Sequence, residues 1–128
     1  EKGLYKTALN NFQQLLDDDK FDAIVPYYIT QIYFFQKNYK QLIVFAKPLI
    51  DKVIPSRIAE VNRVLAEAYY NTQDYKEAIV HFNAYIEQGE QLNPIVHFLL
   101  GQSYYNVEDY ENAVLQLEKD FLAIPNHF

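Results

Sequence analysis

Apolar residues recur at three- and four-residue steps along the whole chain, beginning with Leu4, Ala8, Phe12 and Leu15 and continuing with Ile24, Tyr28, Ile32 and Phe35. That spacing places them on one face of an α-helix and excludes the strict alternation of a half-buried strand. The pattern predicts about seven helices, over residues 2–18, 22–36, 39–53, 57–72, 75–89, 94–107 and 110–122. An aromatic doublet returns at a nearly constant interval, as Tyr33-Phe34, Tyr69-Tyr70 and Tyr104-Tyr105. A second aromatic mark follows each doublet, at Tyr39, Tyr75 and Tyr110. The doublets are 36 and then 35 residues apart, and a repeat of that length signals stacked helical units sharing one elongated core.

Local signals set the breaks. Asn93 is placed to cap a helix opened by Pro94, whose missing N–H needs no partner in a first turn. Asp74 with Glu77 has the spacing of a capping box, and Asn38 with Gln41 repeats that spacing one unit earlier. Pro48 removes a backbone donor within its helix and is expected to kink or end it near Phe45–Lys47. The short links Gln36–Asn38 and Thr72–Asp74 leave successive helices no option but to run antiparallel. Small residues fall where such helices must approach closely: Thr30, Ala66 and Gly101 correspond in first helices, and Ala8, Ala78 and Ala113 in second helices. A glycine inside a helix costs about 1 kcal/mol relative to alanine, so Gly101 points to a tight crossing. Leu42 takes the small-residue place in its helix, and that pair is expected to be spaced differently.

With these residues in register, the chain resembles the tetratricopeptide repeat family. Leu65-Ala66-x-x-Tyr69 followed by Tyr75, Ala78 and Phe82 is similar to the family's helix–turn–helix pattern, as is Leu100-Gly101-x-x-Tyr104 followed by Tyr110, Ala113, Leu117 and Pro125. The segment from Pro26 to Pro55 departs from it at Leu42 and Ala46, and Leu4–Leu16 looks like the second helix of a preceding unit. The resemblance implies an all-α, right-handed superhelix of antiparallel helix pairs, an α-solenoid. It divides the chain into a preceding second helix at 1–21 and repeats at 22–55, 56–92 and 93–125. The apolar last helix, with Val114, Leu117, Phe121 and Leu122 in place of a polar cap, leads to the expectation of a fragment of a longer solenoid, capable of self-association through that helix.

Composition narrows the chemistry. No apolar run approaches the ~20 residues needed to span a bilayer. The formal net charge is −6, and the 11 lysines and arginines are dispersed, which argues against a nucleic-acid partner. The chain has no cysteine, so disulfides and thiol chemistry are excluded. Ser56 and Ser103 lie outside any nucleophile-elbow context. His81, His97 and His127 lack the i, i+4 spacing of a helical metal site and read as structural histidines. The cluster Asp17-Asp18-Asp19 with Asp22 has neither the glycine nor the terminal glutamate of a calcium loop, and reads as a solvated helix end. It places negative charge where a helix C-terminus disfavours it, so the first helix is expected to fray near Leu16. No enzyme, metal or cofactor is expected.

The function implied by the resemblance is protein–protein interaction, with a peptide or protein segment held in a concave groove lined by the first helix of each pair. The corresponding positions are Tyr27, Gln31, Phe34 and Phe35; then Arg63, Glu67, Tyr70 and Asn71; then Phe98, Gln102, Tyr105 and Asn106. Phe34, Tyr70 and Tyr105 correspond, and form either an aromatic ladder across the groove or packing between neighbouring first helices. Tyr33, Tyr69 and Tyr104 are expected in the core. Some family members clamp a terminal carboxylate with cationic side chains; here only Arg63 suits an anion, and Glu67 one turn away opposes it. An uncharged or apolar segment fits better. A spacer or oligomerisation arm in a larger multi-repeat protein is the alternative. The tyrosine- and asparagine-rich character is similar to bacterial envelope members of the family, which points to the periplasmic side of the envelope.

Overall fold

The computed structural model describes residues 2–16, 24–52, 55–88 and 93–123. Among them are seven α-helices: α1 (Lys2–Gln14), α2 (Val25–Phe35), α3 (Tyr39–Ala46), α4 (Ile58–Asn71), α5 (Tyr75–Glu87), α6 (Pro94–Asn106) and α7 (Tyr110–Ala123). They build an all-α helical-repeat solenoid in which each helix packs on the next. The first helices α2, α4 and α6 also meet one another directly, whereas α3 and α5, or α5 and α7, do not approach as closely. A stack whose first helices lie nearer than its second helices bends toward the first.

Three turns of one design reverse the chain. Lys37, Gln73 and Glu108 each take a positive φ, of 57°, 67° and 65°. The next residue in each turn donates its N–H back across the helix end: Asn38 to the Tyr33 carbonyl, Asp74 to Tyr69 and Asp109 to Tyr104. This is the Schellman arrangement, which satisfies carbonyls that a helix end would otherwise leave unpaired. Asp74 then caps α5, accepting from the Glu77 N–H, and Asn93 caps α6, accepting from the Val96 N–H. Asn38 makes no such side-chain bond at the head of α3, so the expected capping spacing there is not used.

Proline punctuation works as chemistry requires. The α-helix expected over 39–53 ends at Ala46 and tightens into a 3-10 stretch, Lys47–Lys52, around Pro48. The first helix stops at Gln14, short of the expected residue 18, with Leu15 and Leu16 in tight i→i−3 bonds. The aspartate cluster at 17–19 and 22 lies outside the described residues, as do Pro125 and His127.

The core runs continuously along the stack, with Ile29, Leu42, Val61, Leu65, Phe82, Val96 and Leu100 among its fully buried side chains. Burying a Leu, Val or Phe contributes about 1.5–3 kcal/mol, so most of the stability resides here rather than in helix propensity. Ala66 and Ala78 are wholly buried, as the small-residue contact requires. A Cβ on Gly101 would lie 2.8 Å from Leu117 Cγ and 3.4 Å from the Ala113 carbonyl, which explains why alanine is absent there. In the first pair the corresponding residues are Thr30 and Leu42, both buried, and α2 approaches α3 along much less of its length than α4 approaches α5. The larger side chain at the crossing and the shorter α3, eight residues against thirteen in α5, both reduce that contact.

Left-handed backbone is costly for a residue with a Cβ. Gln73→Gly is therefore expected to stabilise the fold by about 0.5–1 kcal/mol. Thermal melting checks it; a lower midpoint than the parent would show that the Gln73 side chain contributes more than its backbone costs.

Candidate functional site

The twelve positions singled out from the sequence lie on α2, α4 and α6, and none is fully buried. They differ in how much they offer a ligand. Phe35 is 58% exposed, Phe98 44% and Tyr105 58%. Tyr27, Gln31, Phe34, Arg63, Glu67, Tyr70 and Gln102 are half-buried, and Asn71 and Asn106 are exposed.

Each of the three corresponding aromatics packs within its own helix pair. Phe34 meets Tyr39 edge-on at 6.4 Å, Tyr70 meets Tyr75 at 5.7 Å and Tyr105 meets Tyr110 at 5.5 Å. The second doublet member thus packs on the tyrosine that opens the following helix, beside the left-handed turn. Phe34 also packs toward the neighbouring first helix, with Arg63 of α4 over its ring, and Phe34 and Tyr70 both lie against the core. Edge-to-face pairs of this kind contribute about 0.5–1.5 kcal/mol beyond burial.

Arg63 is fully engaged. It donates to Glu60 Oε2 at 2.7 Å and to Oε1 at 2.8 Å, pairs with Glu67, and lies 5.4 Å from the Phe34 ring centre. The Glu60 hydrogen bonds raise its pKa despite the opposing effect of burial. Burial pushes the Glu67 carboxyl upward, and Arg63 only partly offsets this. Arg57 covers the Tyr27 ring at 5.0 Å. The Asn71 and Asn106 amides donate to carbonyls one turn back in their own helices, Glu67 and Gln102. One amide N–H of each is thus used locally, and the second N–H and the Oδ1 acceptor face solvent. Gln31 Nε2 is buried with no acceptor among the described residues. The structure brings α2 and α4 together through Arg63 over Phe34; among the described residues no hydrogen bond or ring contact joins the α4 and α6 positions.

The first doublet members behave differently. Tyr33 and Tyr69 are buried and Tyr104 half-buried, and each reaches back to the preceding second helix or its extension. Gln13 Nε2 donates to the Tyr33 hydroxyl at 3.4 Å, and Asn83 Nδ2 donates to Tyr104 at 3.1 Å. Lys47 lies 5.4 Å from the Tyr69 ring centre and interacts with its phenol. Gln13, Lys47 and Asn83 occupy corresponding positions, so one polar tie recurs at successive unit boundaries. The sequence pattern assigned these tyrosines to intra-repeat core and missed the tie.

A polar network centred on the buried His81 and Asn62 was also missed. Lys47 Nζ donates to Glu77 Oε1 at 2.6 Å and approaches His81 Nε2 at 3.0 Å, while His81 Nδ1 lies 2.8 Å from Asn62 Oδ1. Asn62 Nδ2 continues to Gln88 Oε1 at 3.3 Å, and Tyr69 stacks on the imidazole at 5.6 Å. An ammonium can only donate, so His81 is neutral, accepting at Nε2 and donating from Nδ1. Burial, reinforced by Lys47, lowers its pKa to about 4. The same crossing in the next pair holds His97 against Gln116 at 2.8 Å, with the histidine on the opposite helix. The available signal was two polar residues, Asn62 and His81, at helix positions otherwise occupied by core. Among the described residues no group of three His, Cys, Asp or Glu is placed to hold a metal. No described helix is long and apolar enough to cross a membrane.

Two outcomes follow. An unfolded histidine titrates near 6.5, above the folded value, so the His81 contribution is complete above pH 6.5 and drains away as pH falls toward 4. The loss by pH 5 is expected to be about 2 kcal/mol, and His81→Gln, copying the residue at 116, is expected to flatten it; melting at the two pH values decides. Gln31→Leu removes a buried donor that has no acceptor and is expected to raise stability by about 1 kcal/mol in urea unfolding.

No protein-family model matches the chain, and no curated protein matches it. A solved structure of MamA (MSR-1, C2) is similar, with a TM-score of 0.75 and 19% identity over 95% of this chain and 68% of that one. The likeness establishes a fold of the tetratricopeptide-repeat kind.

Proposed function

We propose that the chain is a protein–protein interaction scaffold that holds a peptide or protein segment along the inner side of the stack, across α2, α4 and α6. The repeats at 22–55, 56–92 and 93–125, with a preceding second helix at 1–21, are the units of that scaffold. The observation that carries the reading is the exposure of Phe35, Phe98 and Tyr105 on those helices. Large aromatic side chains left open on a rigid surface are the anchors that dominate binding at interfaces. With Arg63 neutralised by Glu60 and Glu67, this surface favours an uncharged or apolar segment over a free carboxylate. A second reading, self-association through α7, is favoured by the exposed Val114 and Leu115 there.

The test is selection of peptides from a displayed random library on the parent chain, with affinities then measured by calorimetry. Phe98→Ser combined with Tyr105→Ser, folded and melting like the parent, is expected to weaken the selected peptides by about 1–4 kcal/mol. Unchanged affinity would place the binding surface elsewhere. A mass that rises with protein concentration would move the balance to the second reading.

A further inference from the structure

Charge is segregated along this chain. Residues 1–51 carry six lysines against Glu1, Asp17, Asp18, Asp19, Asp22 and Asp51 and are neutral overall, although α1, α2 and α3 themselves hold no aspartate or glutamate. Residues 52–128 carry the whole net charge of −6, and their last stretch sets Glu108, Asp109, Glu111, Glu118 and Asp120 against Lys119 alone. The lysines of α1 to α3 and of the turn between α2 and α3 thus stand in the least acidic region of the molecule.

Within that region the start of α1 meets the α2–α3 turn, and a cleft of about 590 Å³ opens between them. Tyr5, Lys6, Phe35, Gln36, Lys37 and Asn38 line it. The Tyr5 and Phe35 rings stack at 6.2 Å with an interplanar angle of 22°, and the open face of Phe35 gives the cleft an apolar floor. Lys6 and Lys37 are exposed and paired with no described carboxylate, whereas Lys47 is held by Glu77. Asn38 makes no capping bond, so its side-chain amide is unspent.

We propose that this cleft binds an acidic peptide segment, its carboxylates on Lys6 and Lys37 and an apolar side chain on the Tyr5–Phe35 stack. A short segment fits the distribution of charge. A long polyanion such as nucleic acid would run from the lysines onto the acidic remainder of the surface, where it is repelled. The site shares only Phe35 with the inner-surface positions and does not depend on their binding anything.

The experiment is fluorescence anisotropy with a labelled glutamate-rich peptide carrying a single phenylalanine. The parent is expected to bind it, with affinity falling as salt is added. Lys6→Glu combined with Lys37→Glu is expected to weaken binding by about tenfold or more with an unchanged melt, and Tyr5→Ser to weaken it at constant charge. Phe98→Ser with Tyr105→Ser is expected to leave it intact, which separates this site from the inner surface. The proposal is overturned if the parent does not bind, if the double lysine variant binds equally well, or if Lys76→Glu on α5 causes the same loss. Capture by vesicles of anionic phospholipid without binding of the peptide also overturns it.

Discussion

A helix can fold back on its neighbour through three residues only if the backbone takes a left-handed step, and Lys37, Gln73 and Glu108 each supply it. The rest of the architecture depends on that step. It sets the antiparallel direction, brings Gly101 against Leu117 and Ala113, and aligns Tyr39, Tyr75 and Tyr110 with the ring at the end of the preceding helix. None of the three residues is glycine. The turn is held by backbone bonds to Tyr33, Tyr69 and Tyr104 and by the aromatic pair beside it, not by a residue that prefers the conformation.

Helix content, the break at Pro48, the caps at Asp74 and Asn93 and the close crossing at Gly101 were all legible in the sequence. Each arises from local chemistry acting within a turn or two of the chain, or from a periodicity that repetition makes visible. The partners of polar side chains were not legible in the same way. Arg63 is spaced to meet Glu60 and Glu67 on its own helix, but its placement over Phe34 depends on how α2 and α4 pack. Lys47 meets His81, 34 residues away, only because the end of α3 packs on α4, which in turn packs on α5. Such contacts belong to the stacking of units, which a single-sequence pattern registers as equivalence and not as proximity.

The candidate positions on α2, α4 and α6 divide along the same line. The resemblance carried them onto the first helices, and they lie on α2, α4 and α6. Their availability depended on tertiary partners: Tyr27 lies under Arg57, Phe34 and Tyr70 are half-buried against the next tyrosine, and Asn71 and Asn106 turn back to their own helices. What remains open is aromatic and sparse. Recognition by such a surface would be read mostly through shape and apolar area, with polar groups setting direction.

The phenol ties between units carry an evolutionary consequence. Tyr33, Tyr69 and Tyr104 each accept from, or interact with, whatever donor the preceding unit presents, be it the Gln13 amide, the Lys47 ammonium or the Asn83 amide. A hydroxyl that tolerates such different donors makes every seam nearly the same seam. A unit duplicated or deleted in the gene would therefore meet a compatible neighbour on both sides, and the array could grow or shrink without reinventing its joints.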